Sequence, residues 1–226
     1  MYSEALSEQV MKVEINIPET MSEVTLGQYQ KFLKIQENNT DERFLQIKMI
    51  EIFCNVPSEY VLNMRLSDTN EIVSMLNELF IDKQKLIQRT RIGGKEYGFI
   101  PKLEDISLGE YIDLDTYLGN WENMHLAMQV LYRPIKNKYG ERYSIEDYKA
   151  SDGLHMKDIT MDCVMGSILF FYSLGTDLSK AILNSSQAEK ESLIVRYLNS
   201  EANGVGINQY THSLSVMLQD LNISLN

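Results

Sequence analysis

Cysteine is nearly missing from this chain: Cys54 and Cys163 stand far apart, with no CxxC spacing and no His-rich neighbourhood. That excludes a disulfide framework, argues against a zinc site and fits a reducing compartment. Both thiols read as core residues, where free cysteine usually sits. Histidine is as scarce, and His125, His155 and His212 never cluster, which argues against His-dependent catalysis. Positive charge is also short. Lys and Arg number 21 against 32 Asp and Glu, and the net charge of -11 opposes phosphate backbones and anionic membrane surfaces, so direct nucleic-acid binding is not expected. The most apolar run, Ile159 to Leu174, contains Asp162 and falls short of the roughly 20 apolar residues of a bilayer span, which predicts a buried helix instead. No basic stretch followed by an apolar one opens the sequence, so a secretory leader is not expected and a cytoplasmic protein is. No Pro/Ser-rich linker divides it. The expected division is a mixed region over 1–152 and a helical region over 153–226, with a boundary soft enough that both could form one domain.

What the chain does have is a phrase used twice. Ile17-Pro18 leads to Val24-Thr25-Leu26-Gly27-Gln28-Tyr29, and Ile100-Pro101 leads to Ile106-Ser107-Leu108-Gly109-Glu110-Tyr111. In each copy a hydroxyl residue is followed three positions later by Gln or Glu, the capping box whose side chains satisfy orphan N–H groups at a helix start. Val24 and Ile106, just before the caps, are spaced to staple onto Tyr29 and Tyr111. Gly27 and Gly109 have no such job, and glycine costs helix propensity. They predict close backbone approach, either between the two halves or to a partner.

The fold expected is α+β and predominantly helical, with two strand-Pro-helix units and a β-hairpin packed on a helical C-terminal half. Lys12 to Ile17 alternates as a strand with Val13, Ile15 and Ile17 inward. Helices are expected from the Thr25 cap to Glu37, from Thr40 or Asp41 through an apolar stretch that reads as sandwiched, and from Ser67 to Phe80. Leu86 to Ile92 and Lys95 to Ile100 flank Gly93-Gly94, the pair a type I′ hairpin turn needs. Trp121, Met124, Met128, Leu131 and Tyr132 share a helical stripe that Arg133-Pro134 should stop. Lys136 to Tyr143 reads as a basic, aromatic loop and Ser144 to Asp147 as a short capped helix. Helices over Thr160 to Leu174, Asp177 to Leu183, Gln187 to Leu198 and Asn208 to Leu221 complete the chain.

Candidate chemistry is sparse. Asp113 and Asp115 form a DxD pair, yet residues two apart on a helix point about 200° apart and cannot share an ion unaided. Glu122 and His125 could act as acid and base, or His125 could be half-buried against a carboxylate or carbonyl. No catalytic, cofactor-binding or metal residues are assigned. Tyr132, Arg133, Lys136, Lys138, Tyr139 and Arg142 form a basic, Tyr-rich stretch suited to an acidic protein partner or to structure, ahead of nucleic acid. With Gly27 and Gly109 they make the candidate interaction set. The twelve methionines suit either a repacking interface or an ordinary core.

Val13-Glu14-Ile15-Asn16-Ile17-Pro18 with Leu26-Gly27-Gln28-Tyr29, then Ile92-Gly93-Gly94-Lys95-Glu96-Tyr97-Gly98-Phe99-Ile100-Pro101, then Asn120 to His125 through Tyr132-Arg133-Pro134, resemble tailed-bacteriophage morphogenesis proteins over most of residues 12–180. The Gly-Lys-x-Tyr-x-Phe hairpin is similar to one in tail assembly chaperones, small acidic proteins that hold the tape measure protein until the tail polymerises. This chain departs from them in placing the hairpin near residue 93 and in its long helical C-terminal half. The resemblance implies a non-enzymatic tail or neck assembly factor with no cofactor, acting in the host cytoplasm on tail, neck or tape measure proteins. The alternative is a stoichiometric virion part, such as a homo-oligomeric ring. A metal-dependent enzyme using Asp113, Asp115, Glu122 or His125 is the rival from another class.

Overall fold

The computed structural model describes residues 15–184 and Val216. Seven α-helices and one four-stranded antiparallel sheet among the described residues give an α+β, helix-dominated architecture. Both capping boxes form as the sequence dictates. Thr25 Oγ1 accepts from the Gln28 N–H at 3.2 Å while Gln28 Oε1 accepts from the Thr25 N–H at 2.9 Å, starting α1 (Leu26–Gln36). Ser107 and Glu110 exchange the same pair of bonds at 3.3 and 2.7 Å to start α5 (Leu108–Tyr117). A single 3-10 turn precedes each cap, Met21–Glu23 in the first copy and Leu103–Asp105 in the second.

Between the copies lie α2 (Glu42–Phe53, capped by Asp41), α3 (Ser58–Leu62, with Pro57 at its cap) and α4 (Leu66–Leu79). Tyr29, Phe32, Phe53, Phe80 and Trp121 interlock with ring centroids 4.8–5.5 Å apart and join α1, α2 and α4. Such tilted pairs add to the area they bury. The sheet is a meander in the order β1 (Arg89–Ile92), β2 (Lys95–Phe99), β3 (Tyr132–Tyr139), β4 (Arg142–Ile145). Gly93 and Gly94, at φ 56° and 79°, make the left-handed turn between β1 and β2. Helix α6 (Met124–Leu131) runs straight into β3, and α7 (Met161–Asn184) packs Met161, Val164, Met165 and Ile168 into a core that continues across Gly153. Phe99, Tyr132, Phe170 and Phe171 tie the sheet to α7. No described helix is long and apolar enough to cross a membrane.

Several expectations need correction. Ile15 to Ile17 pairs with no strand among the described residues, although its in-out burial alternation holds; residues 12–14 lie outside the described residues. Helix α6 does end just before Arg133-Pro134 as expected, but the chain continues there as a strand, and the expected basic loop at Lys136 to Tyr143 is a hairpin that turns at Gly140 (φ 61°). Ser144-Ile145 belongs to β4 rather than to a capped helix. Strand β3 leaves no periodic signal in the sequence because it is mostly exposed after Ile135 and carries a bulge between Ile135 and Asn137. Helix α2 is buried only at Ile50, Ile52 and Phe53, so just its last turn is sandwiched. Gly175 does not interrupt α7, whose packed face outweighs the roughly 1 kcal/mol a mid-helix glycine costs. The helices expected at 187–198 and 208–221, with His212, lie outside the described residues, save Val216.

Two glycines that sequence reasoning passed over hold elements together. A Cβ on Gly166 of α7 would stand 2.4 Å from the Lys85 carbonyl oxygen, and one on Gly98 would stand 2.3 Å from the Tyr143 ring. In their place any side chain would force the neighbouring segment away.

Candidate protein-binding face beside the Arg133 cleft

The two copies of the phrase meet different surroundings. In the first, an extended stretch lies across the helix start: the Leu26 N–H donates to the Ile159 carbonyl and the Met161 N–H donates to the Val24 carbonyl, each at 2.8 Å, bracketing an antiparallel bridge between Thr25 and Thr160. Val24 and Leu26 are fully buried by it. A Cβ on Gly27 would stand 3.1 Å from the Lys157 carbonyl oxygen and 3.2 Å from its Cβ, so this glycine does permit close backbone approach within the chain.

In the second copy nothing among the described residues takes that place. The Leu108 N–H and the Ile106 carbonyl have no hydrogen-bond partner among the described residues. A Cβ on Gly109 would meet nothing within 4 Å. Leu108 is 68% exposed and Ile112, one turn on, is 52% exposed. No described residue closes on Gly109 as Lys157 closes on Gly27.

Beside this face is a cleft of about 530 Å³, lined by Ile106, Glu110, Arg133, Tyr143, Ile145 and Tyr148 among others. Glu110 Oε1 receives the Arg133 guanidinium at 2.7 Å, both side chains being largely buried, and the buried Arg133 Nε has no partner among the described residues. The Tyr148 hydroxyl donates to Asp113 Oδ2 at 2.6 Å, and its proton is held more tightly than usual, first by burial and then by that carboxylate. Tyr143 lies within 2.9 Å of the Gln88 and Phe99 carbonyls, and burial raises its pKa as well.

The other candidate residues divide between core and surface. Tyr132 is 1% exposed, with its hydroxyl donating to the Ile87 carbonyl at 2.7 Å and accepting from Ser167; it belongs to the core, not to an interface. Lys138 pairs with Glu96, which lowers the pKa of that carboxyl. Lys136, Tyr139 and Arg142 are exposed on the β3–β4 hairpin, where Glu141 pairs with Arg89 and Glu146 with Lys95. The carboxylates interleaved there mute its basic character.

Neither pair considered for catalysis assembles into a site. Asp115 is exposed while Asp113 is occupied by Tyr148. His125 is half-buried against Gln30, 3.3 Å from its Nδ1, and the Glu122 carbonyl, and burial followed by the charge of Lys157 lowers its pKa. Among the described residues no group of three or more His, Cys, Asp or Glu could hold a metal ion. Cys54 and Cys163 are buried thiols whose pKa values burial pushes up to about 11. Met21, Met124, Met128, Met156, Met161 and Met165 fill the core. Comparison with protein families, curated proteins and solved structures returned no match for this chain.

Proposed function

We propose that this chain is a non-enzymatic tail or neck assembly protein of a tailed bacteriophage, acting through protein–protein contacts in the host cytoplasm as a tail assembly factor. The observation that carries the contact role is the open second copy. A helix start that the fold closes on itself at Gly27 is repeated at Gly109 with its apolar residues and backbone groups left to solvent. Leu108 and Ile112, exposed one turn apart beside a cleft, form an apolar patch that a partner protein could cover. The phage setting is supported by the resemblance of the Ile92 to Pro101 hairpin and of its flanking segments.

Leu108→Asp and Gly109→Leu test the reading in a phage carrying this gene. Both positions face solvent, so the variants are expected to fold with native stability and to lower the yield of tailed particles. Normal particle yield from both would overturn it. Mass spectrometry of purified particles separates a transient assembly factor, absent from the virion, from a stoichiometric ring of the neck or tail.

A further inference from the structure

The first copy shows how its twin can be filled. Ile159 and Thr160 link a 3-10 turn (Leu154–Asp158) to the start of α7 and lie beside Val24 to Leu26, with Ile159 and Met161 supplying one acceptor and one donor to the helix start. Lys157 arrives over Gly27, three residues before the bridged Thr160. Ile106 to Gly109 repeats the receiving half of this arrangement: the same unpaired carbonyl and N–H, an apolar residue at the first helical position, and a glycine at the second. We infer that Ile106-Ser107-Leu108 receives a basic segment of a partner protein through a short antiparallel bridge, in the register that Ile159 to Met161 takes on Val24 to Leu26. This rests on the protein-binding reading above and specifies its geometry.

Charge selects the partner's chemistry. From Leu103 to Tyr117 the chain carries Glu104, Asp105, Glu110, Asp113 and Asp115 and no Lys or Arg. Arg133 engages Glu110, and Asp105 is within 3.6 Å of only the exposed Lys102, leaving Glu104 and Asp115 exposed at the rim. A segment with Lys or Arg over Gly109 and aliphatic side chains flanking the bridged residue meets both the apolar face and the acid around it. Strand addition of this kind takes affinity from main-chain bonds and specificity from alternate side chains.

The chain itself supplies a probe. A synthetic peptide copying residues 153–163, with Asp158→Asn and Asp162→Asn so that Lys157 leaves it basic, and blocked at both ends, is titrated into the full-length protein and followed by amide chemical shifts. Saturable binding is expected, with the largest shifts at Ile106 to Ile112. N-methylation at the peptide's Met161 position removes the donor to Ile106 and should weaken binding about five- to tenfold, the worth of one hydrogen bond. N-methylation at its Thr160 position, whose N–H points away from the pair, should not. Replacing its Lys157 by Glu should weaken binding as well. No binding up to about 1 mM, shifts centred on Val24 to Leu26, or indifference to methylation at Met161 would overturn the inference. If the peptide fails while Leu108→Asp still blocks assembly, the face binds a partner in another way and only the strand-pairing geometry falls.

Discussion

Helices α1 and α5 begin with the same capping box, yet one start is sealed by its own chain and the other is open to solvent. The residue at the third helical position shows how one atom changes which neighbour a helix takes. Gln28 caps with its carbonyl oxygen and has an amide left over, which donates to the Ile52 carbonyl at 2.8 Å and fastens α1 to α2. Glu110 caps with one carboxylate oxygen and turns the other to Arg133, which fastens α5 to the start of β3 and shapes the cleft. A donor and an acceptor at equivalent places choose different neighbours. The local rule that starts a helix is thus independent of what the helix then packs against.

The largest expected contrast is at the first helical position. Leu26→Ala should cost about 3 kcal/mol, since Leu26 is fully buried and the site is held by two backbone bonds, whereas Leu108→Ala should change stability by less than about 0.5 kcal/mol. Denaturant midpoints would measure both, and equal costs would erase the distinction between the copies. Next come the swaps at the third position. Glu110→Gln keeps a capping oxygen but leaves Arg133 largely buried without its carboxylate, for an expected loss of about 2 kcal/mol, below a fully buried pair because the cleft is open to water. Gln28→Glu should cost about 1–2 kcal/mol by exchanging the donor to Ile52 for a carboxylate oxygen facing a carbonyl.

Smaller again is the glycine pair. Gly27→Ala forces the Lys157 backbone of the neighbouring turn to give way and should destabilise by about 1 kcal/mol, while Gly109→Ala should stabilise by a few tenths to about 1 kcal/mol by restricting the unfolded chain. Thermal unfolding of the two variants should therefore shift in opposite directions. The smallest effect is one of pH and belongs to the first copy alone, through the Gln30–His125 contact. Because the folded state lowers the His125 pKa below its ordinary 6.5, the unfolded chain takes up the proton first as pH falls. Stability present above about pH 6.5 is lost below it, and the loss levels off once pH passes the lower folded value. His125→Asn should flatten this part of the stability profile.

Much of this was readable from residues alone. Thr25, Ser107, Gly93 and Gly94 act through neighbours a few positions away, so spacing identified the caps and the hairpin turn. The stripe of Met124, Met128 and Leu131 did the same for α6, because one packed helix face leaves a 3.6-residue period. Strand β3 was not readable, since its partners Tyr97 to Phe99 are more than thirty residues away and its exposed half obeys no alternation. The Arg133–Glu110 pair was hidden for the same reason. Arg133 was singled out as a candidate, but as part of a basic surface stretch, and nothing in the sequence joined it to Glu110.

What the sequence by itself determined was where each copy's helix begins, how it is capped, and that a glycine follows the first helical residue, because these depend on bonds closed within a single turn of backbone. Only the tertiary structure decided that Gly27 would be closed against Lys157 and Gly109 left open. That difference comes from which distant segment the packed core brings alongside, and the two copies of the phrase differ too little within themselves to encode it.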